Sequence, residues 1–329
     1  MRSTAIERRH ELGAALVLGV ILLVFYVLNN HFFTGGNVSS IFTYVAELGL
    51  LAMAETSLMV LGEIDISVGA VYIVAALAMA ELLKRGDPEA VALLAGLAVG
   101  LVAGLLNAFV TLGLKMSSLI ATLGTYAFWT GVSLLMTGGA PVDLLKSYSV
   151  LQWIASKNFF SFSLQICVLW WLILFLVGGF VLGKTRWGNW MYATGANRES
   201  ARYAGVPTLK VKVVSFVAAS VLAAIAGIFD LGLYNSMSPA VSTEELQAIA
   251  AAVIGGVSIW GGIGTFSGVA VGTVALASID AGLVAAGAPT YYYQGLTGVV
   301  IIFMVAVNGF LDTSVEKRAK VRKNDADVA

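Results

Sequence analysis

KTRWGNWMYATGANRESARYAGVPTLKVK, residues 184–212, is a polar and basic segment in a chain that is otherwise strongly apolar. It holds six of the nineteen lysine and arginine residues and a single acid, Glu199. The stretch that follows, 213–315, contains no lysine or arginine. Positive charge between apolar runs is typical of loops that remain in the cytoplasm. The segment is therefore predicted to be a cytoplasmic loop, and its length indicates a role of its own.

The composition is that of a membrane protein, with 59% hydrophobic and 12% charged residues over 329 positions and a mean hydropathy of +0.89. Soluble domains carry about 25% charged residues, so we predict an all-α, polytopic membrane protein embedded in a lipid bilayer. No basic stripe or nucleic-acid-reading motif is visible, which argues against a nucleic-acid partner. The single cysteine, Cys167, excludes a disulfide or a cysteine-based metal site within the chain.

Apolar runs long enough to cross about 30 Å of hydrocarbon as helices predict ten spans. They fall near 12–30, 44–62, 67–84, 89–113, 118–137, 164–183, 211–234, 246–260, 266–288 and 294–312. The junctions at 62–67 and 261–265 are either tight turns or breaks in re-entrant helices. We expect residues 1–329 to form a single transmembrane domain.

Basic residues near the two ends orient these spans. The tail 1–11 carries three arginines, and the tail 313–329 carries five lysines and arginines. Both tails are therefore predicted to be cytoplasmic, which requires an even number of spans. Ten spans also place the loop 184–212 inside and 235–245 outside, with the semi-polar segment 138–163 along the outer interface of the membrane.

Glycines recur at helical spacing in two places. One stripe is Gly96, Gly100 and Gly104, and the other is Gly264, Gly268 and Gly272. Small residues let helix backbones approach closely inside a bilayer. Close packing within one subunit is the favoured interpretation, and a dimer interface is the alternative.

Residues 178–185, GGFVLGKT, satisfy the G-x4-G-K-[ST] pattern of nucleotide-binding loops. Such a loop needs a strand before it and a helix opening after it. Here the glycines end a long apolar run, and Lys184 is explained as a lysine that snorkels to the membrane surface. The sequence therefore predicts no cofactor in this chain, and any ATP-Mg would be bound by a partner subunit.

Carboxylates within apolar runs are costly and indicate function. Those that fall in or between predicted spans are Glu47, Glu55, Glu63, Asp65, Glu81, Asp230 and Asp280. After the residues near span ends are set aside, Glu55, Asp65 and Asp280 are the main candidates. They could couple a carrier to protons or sodium ions, or they could bond backbone and line a wet cavity.

Uncharged polar residues also run through the spans. Together with the carboxylates they give the candidates for a translocation pathway: Asp65, Ser67, Asn107, Thr122, Thr125, Tyr126 and Asp280. Paired donors and acceptors near aromatic rings suit a neutral, hydroxyl-rich solute. The alternative for each residue is helix packing, because Thr and Asn also bond helices together in membranes.

The middle of the basic loop has the signals of a short helix. Asn197 can cap its start, Glu199 lies in its first turn, and Gly205 ends it ahead of Pro207. We predict about two helical turns on the cytoplasmic side. The segment is either a plain surface helix or a docking element for a soluble partner.

Four stretches resemble one family in order and spacing. They are Gly62-Glu-Ile-Asp65-Ile-Ser67-Val-Gly69, Ala121-Thr-Leu-Gly-Thr125, Gly195-Ala-Asn197 with Ala201, Arg202 and Gly205, and Ala248–Gly256 followed by Trp260-Gly-Gly-Ile-Gly. They are similar to the permease subunits of bacterial ABC importers for ribose-type monosaccharides, a group that includes autoinducer-2 permeases. Glu63 and Asp280 depart from the residues usual in sugar permeases, so the resemblance leaves the solute open.

The resemblance implies a coupling helix that fits a groove of a separate ATP-hydrolysing subunit. Its residues would be Gly195, Asn197, Glu199, Ala201, Arg202, Tyr203 and Gly205. It also implies a second permease, identical or paralogous, a periplasmic solute-binding protein, a bacterial inner-membrane location and alternating access driven by ATP. The chain itself would not be an enzyme. The alternative is a stand-alone carrier that uses Glu55, Asp65 or Asp280 with H⁺ or Na⁺.

Overall fold

A computed structural model describes residues 3–159, 164–240 and 243–287, together with the single positions 289, 292, 293, 295, 296, 298, 299 and 302. The predicted last span, 294–312, and the predicted tail, 313–329, fall outside the described residues except for five of these single positions, 295, 296, 298, 299 and 302. Within the described residues the chain is mainly helical.

Twelve α-helices occur in the described part of the chain. They are α1 Ser3–Leu28, α2 Gly35–Met59, α3 Val68–Arg85, α4 Glu89–Ala108, α5 Ser118–Thr137, α6 Ser149–Leu151, α7 Ile166–Lys184, α8 Arg186–Ala196, α9 Arg198–Tyr203, α10 Thr208–Tyr234, α11 Glu244–Ile254 and α12 Phe266–Ala285. Single π-helical turns follow α4, at Phe109–Gly113, and α6, at Gln152–Ser156. Two short antiparallel pairs join β1 Val142–Asp143 to β4 Ser236–Met237 and β2 Asn158–Phe159 to β3 Leu164–Gln165.

Six described helices are long and apolar enough to cross a membrane. They are α2, α4 with its π turn, α5, α7, α10 and α12. Helix α1 begins at Ser3, so it takes in most of the predicted N-terminal tail, and its apolar part is Leu12–Leu28. Helix α3 has 18 residues but carries three charged side chains in its last two turns. The polytopic membrane class is therefore confirmed, whereas the count of ten spans is not.

The predicted span at 246–260 differs most from the structure. Helix α11 there has only 11 residues, and at about 1.5 Å per residue it is roughly half as long as the hydrocarbon layer is thick. The chain leaves the helix at Gly255 because Gly256, Gly261 and Gly262 adopt positive φ, which glycine tolerates best. The full-length span is therefore replaced by a half-length helix and a glycine turn.

Contacts at glycines show that two pairs of neighbouring helices are antiparallel. A Cβ added at Gly100 would lie 2.8 Å from Cβ of Ala224, and one added at Gly104 would lie 2.5 Å from Cα of Val217. Contacts therefore move back along α10 as α4 advances, so α4 and α10 are antiparallel. Helices α11 and α12 are antiparallel too, because Gly255 lies against Gly268 and Ala251 against Gly272.

The loops gather at two faces of the helix bundle. We call the face with α8, α9 and the turns 60–67, 114–117 and 255–265 the α9 face. The backbone N–H of Ile64 donates to Ser118 Oγ at 3.2 Å, and the N–H of Gly262 donates to the Val60 carbonyl at 2.9 Å. The junctions at 62–67 and 261–265 are therefore turns at one face rather than breaks within a helix.

The other face, which we call the opposite face, carries the segment 138–159. It is tied down by hydrogen bonds from Tyr148 Oη to the Leu83 carbonyl at 2.9 Å and from the Val150 N–H to Glu89 Oε2 at 2.6 Å. The loop after α10 joins this face through β4 and the bond from the Leu144 N–H to the Asn235 carbonyl, 2.8 Å. This arrangement agrees with the predicted position of the segment along one membrane interface.

Both glycine stripes pack within the subunit. Gly96 lies against α3 and α10, and Gly100 and Gly104 lie against α10. In the second stripe, Gly268 and Gly272 lie against the backbone of α11. Helix α10 consequently sits at the centre, in contact with α2, α3 and α4. The favoured interpretation of the stripes, close packing inside one subunit, is confirmed.

Candidate functional site

Helix α9 forms where its capping signals predicted it. The Asn197 side-chain oxygen accepts a hydrogen bond from the Ser200 N–H at 2.9 Å, as an N-cap does. At the other end Gly205 has φ +83°, and the Val206 N–H donates to the Ala201 carbonyl at 3.0 Å. This is the Schellman pattern of helix termination. The predicted short helix is therefore confirmed, with six helical residues.

Nearly all of α9 faces solvent. Among its six residues only Ala201 is buried, and the Tyr203 side chain is 86% exposed. Its charged residues, Arg198, Glu199 and Arg202, are exposed as well. A capped helix that presents an aromatic ring and both signs of charge has the composition of a protein interface, where Tyr and Arg are enriched.

Gly195, which was grouped with the coupling residues, lies in a different environment. It is in the last turn of α8, and a Cβ there would overlap the Val60 carbonyl oxygen. The Tyr192 hydroxyl, one turn earlier, donates to the Gly264 carbonyl at 2.6 Å. Helix α8 is thus attached to the turns 60–67 and 255–265, while α9 projects from the molecule.

Four predicted pathway residues form one buried hydrogen-bond network beside the α2–α3 turn. Asp65 Oδ1 accepts from the Ser67 N–H at 2.8 Å and from Ser67 Oγ at 2.6 Å, and Asp65 Oδ2 accepts from Asn107 Nδ2 at 2.8 Å. Thr125 Oγ1 completes the network by donating to Asn107 Oδ1 at 2.7 Å. These four side chains are at most 6% exposed, so their polar groups are satisfied by one another.

The network joins two helices, α4 and α5, to the turn. Asp65 lies between α2 and α3, Asn107 is in α4, and Thr125 is in α5. Thr122, one turn before Thr125, accepts from the Ile66 N–H at 3.2 Å. Burial raises the pKa of Asp65 to about 6, and the hydrogen bonds from Ser67 and Asn107 act in the opposite direction. Neutral donors therefore stabilise a carboxylate that has no basic partner among the residues that the structure describes.

The other two pathway candidates do not take part in that network. Tyr126 is partly buried on α5 and bonds to Thr130. Asp280 lies near the far end of α12, where it interacts electrostatically with Tyr44 and Glu244. The structure therefore divides the seven predicted residues between separate parts of the bundle.

A second polar cluster lies in the half of the bundle near the opposite face, and Asp280 interacts electrostatically with its Tyr44. The Tyr44 hydroxyl contacts Gln247 Oε1 and lies 3.3 Å from the Tyr293 hydroxyl, which in turn lies 3.4 Å from Gln247 Oε1. Sequence reasoning did not select Tyr44 or Glu244, because both precede regular apolar runs and resemble span-end residues. Only the packing of α2 against α11 and α12 brings them together.

The ion pair of Glu63 with Lys212 was not predicted. The two side chains are in contact, and they are 9% and 6% exposed. Lys212 is in the second turn of α10, 149 positions further along the chain. The pair gives the acid at position 63 a buried basic partner.

Glu55 is the most deeply buried of the predicted carboxylates. It is 0% exposed in α2, and neither of its oxygens has a hydrogen-bond partner among the residues that the structure describes. Asp65, in the α2–α3 turn, interacts with it electrostatically. A carboxyl group that is buried without hydrogen bonds is costly in an apolar interior.

The nucleotide-binding pattern at 178–185 falls inside a helix. Helix α7 runs without interruption from Ile166 to Lys184, so the backbone N–H groups of the glycines are used in helical hydrogen bonds. Gly178 packs against the Phe266 ring, 2.6 Å from the position of an added Cβ. The strand–loop–helix context that a phosphate loop requires is not formed by these residues.

Comparison with known proteins covers almost the whole chain. Residues 37–305 match the family model described as "Branched-chain amino acid transport system / permease component". The chain is 32% identical to the autoinducer 2 import system permease protein LsrC of Photorhabdus laumondii, over 97% of this chain and 95% of that protein. It is also 32% identical to the proteins of the same name from Yersinia pseudotuberculosis and Yersinia enterocolitica, over 97% of this chain and 90% and 88% of theirs.

A family match over most of the chain agrees with the apolar helices and the short exposed helix at one face. The protein is accordingly a membrane-spanning transport permease, and it belongs to the family of permease components of branched-chain amino acid transport systems.

Proposed function

We propose that this chain is the permease subunit of an ABC importer that moves a small, neutral, sugar-like solute inward. The full-length similarity to three permeases named for autoinducer 2 import carries the proposal and makes autoinducer-2 the first candidate solute. Ribose-type monosaccharides are the second candidate. Solute would cross by alternating access, with the energy supplied by ATP hydrolysis in a separate subunit.

The proposed partners fit particular parts of the molecule. An ATP-hydrolysing subunit, which would bind ATP-Mg, docks on the exposed helix α9. A periplasmic solute-binding protein docks on the opposite face, and a second permease completes the pathway. The chain lies in the bacterial inner membrane with both termini and the α9 face in the cytoplasm. The basic residues of the loop 184–212 support this orientation.

A neutral solute is supported by the polar groups of the interior. In the described spans the buried polar side chains are hydroxyls, amides and carboxylates, and the one buried lysine, Lys212, is paired with Glu63. Anionic solutes would meet several carboxylates with little compensating positive charge. Hydroxyl groups, in contrast, can donate to carboxylates and exchange bonds with Tyr, Gln and Asn side chains. We propose the pathway near Asp65, Ser67, Asn107, Thr122, Thr125, Tyr126 and Asp280.

Co-purification tests the ABC assignment directly. The tagged chain, expressed with the genes that neighbour it and extracted in mild detergent, should bring down an ATP-hydrolysing subunit. Uptake by such a transporter should require ATP and should persist when an uncoupler removes the proton gradient while ATP is maintained. A pull-down without an ATPase, with uptake that collapses on adding the uncoupler, would favour a stand-alone carrier.

Charge reversal on α9 tests the docking site. Glu199→Arg or Arg202→Glu should reduce ATPase co-purification and uptake by about tenfold or more, because alanine scans place a few kcal/mol in one interface residue. Membrane insertion should stay at the wild-type level, since both side chains are exposed. Lys210→Glu, an exposed residue of the same loop outside α9, is the matched control. Wild-type co-purification of both α9 variants would place the ATPase elsewhere.

The solute is tested on the binding protein. Purified binding protein should show a thermal shift with autoinducer-2 and a smaller shift, or none, with ribose. A larger thermal shift with ribose than with autoinducer-2 would indicate a monosaccharide importer instead. A shift with branched-chain amino acids only would contradict a sugar-like solute.

A further inference from the structure

Three segments of backbone meet at the α9 face with no side chain between them. Gly195 comes from α8, Gly62 from the α2–α3 turn, and Gly261 and Gly262 from the α11–α12 turn. A Cβ at Gly261 would lie 2.8 Å from the Gly195 carbonyl oxygen and 3.0 Å from the Gly62 nitrogen. We call these four residues the glycine junction.

Hydrogen bonds fasten the same three segments. The Gly262 N–H donates to the Val60 carbonyl at 2.9 Å, which joins the two turns to each other. The Tyr192 hydroxyl donates to the Gly264 carbonyl at 2.6 Å, which joins α8 to the α11–α12 turn. Close-packed backbone held by hydrogen bonds is hard to compress and transmits a displacement with little loss.

The α2–α3 turn continues the connection into the bundle. The Ile64 N–H donates to Ser118 Oγ at the start of α5, and Glu63 pairs with Lys212 near the start of α10. Asp65 belongs to the network that reaches Asn107 in α4. A movement of this turn would consequently be felt by three helices, α4, α5 and α10, that reach the opposite face or approach it.

Helix α8 is placed to deliver such a movement. A single non-helical residue, Asn197, separates it from α9, so the two short helices are nearly continuous. Its buried side, Gly188, Met191 and Thr194, packs on the bundle, whereas α9 is exposed. A partner that moves α9 would therefore move α8 against the two turns.

We propose that Tyr192 and Gly195 are positioning residues that transmit the displacement of α9 through the glycine junction to both turns. The inference rests on the proposed function, since it requires a partner that moves α9. Tyr192 would control the α11–α12 turn, and Gly195 would control the α2–α3 turn.

Spin labels test the transmission without a transported solute. The labels are attached at Met116→Cys and Trp260→Cys, in exposed parts of two α9-face turns, with Cys167→Ser to remove the native thiol. The complete transporter is measured by double electron–electron resonance without nucleotide and after trapping with ATP and vanadate. ATP hydrolysis and ATPase co-purification are recorded on the same samples.

Four variants are compared in this labelled chain. Tyr192→Phe removes one hydroxyl, and Gly195→Ala places a methyl group against the Val60 carbonyl. Tyr148→Phe removes a similar tyrosine–carbonyl bond at the opposite face, and Gly183→Ala adds a methyl group in open space on α7. The latter two are therefore matched controls for loss of a bond and for a glycine replacement.

The measured quantity is the population of the label-to-label distance that appears after trapping with nucleotide. We expect this population to fall by about 2- to 30-fold in the Tyr192→Phe and Gly195→Ala proteins relative to wild type. Both should still bind the ATPase and hydrolyse ATP, and both controls should behave as wild type. Wild-type populations in the Tyr192→Phe protein, which should fold normally, would overturn the inference. So would a wild-type complex that binds its ATPase but shows no change in distance. Failure of the wild-type chain to bind any ATPase would instead overturn the proposed function.

Discussion

At the scale of single residues, the α2–α3 turn stabilises two neighbouring acids by different means. Glu63 is paired with Lys212, whereas Asp65 is bonded to neutral donors from Ser67 and Asn107. A buried charge without a partner is strongly destabilising. Both acids are therefore integral to the packing of the turn, and changes to their partners should be measurable as changes in stability.

The Glu63–Lys212 pair gives the first such prediction. Glu63→Gln should lower the free energy of unfolding by about 3–5 kcal/mol, because it leaves a buried ammonium group without its counter-charge. The double variant Glu63→Leu with Lys212→Met should recover much of that loss. Thermal unfolding of the single and double variants in detergent would measure both the loss of stability and its recovery. Equal losses in the two proteins would mean that the pair contributes packing rather than charge compensation.

The Asp65 network gives a second prediction. Thr125→Val keeps the shape of the side chain but removes the donor to Asn107 Oδ1, and should cost about 1–3 kcal/mol of stability. Thr273→Val is the matched control, because that buried hydroxyl donates to the Val269 carbonyl of its own helix. Detergent melting temperatures should fall more for the first variant. Similar values would indicate that the network is no more sensitive than an ordinary helix threonine.

At the scale of secondary-structure elements, close contact between α4 and α10 depends on missing side chains. Gly100 lies against Ala224 and the Ser220 carbonyl, with no room for a Cβ between them. Inside a bilayer such contact provides the packing energy that hydrophobic burial supplies in water. The close contact between α4 and α10 is thus made by glycine and alanine rather than by large apolar residues.

Gly100→Ala should therefore destabilise the protein by about 1–3 kcal/mol, the usual cost of overpacking. Gly124→Ala, in α5, has open space around the new methyl group and should be neutral or slightly stabilising. Thermal unfolding of both variants in the same detergent separates the two effects. Equal stability of the two variants would show that α4 and α10 can move apart without lowering the free energy of unfolding.

At the scale of the whole molecule, the two faces predict which residues can be labelled from each side of the membrane. Leu145, 97% exposed, lies in the segment at the opposite face, and Trp260, 84% exposed, lies at the α9 face. In a Cys167→Ser background, Leu145→Cys should react with an impermeant maleimide in spheroplasts. Trp260→Cys should react only after the membrane is made permeable. The opposite result would invert the proposed orientation.

Much of this molecule is determined by sequence alone, because its signals are local. Apolar runs located all the long described helices but not the short helices α6, α8 and α9, and span 118–137 coincides with α5. The caps of α9 were predicted correctly because Asn197 and Gly205 act within one turn of their own backbone. The charge of the loop 184–212 likewise depends on composition and needs no tertiary information.

Tertiary structure decided what depends on contacts between distant residues. The pairing of Glu63 with Lys212, the assembly of Asp65 with Asn107 and Thr125, and the junction of Gly62, Gly195 and Gly261 each join separate parts of the chain. The periodicity of apolar residues in the sequence does not reveal such contacts, since they depend on which helices pack together. The same reason explains α11, where an apolar run resembled a full span. Packing against α12 and the positive φ angles of its glycine turn end that helix after 11 residues.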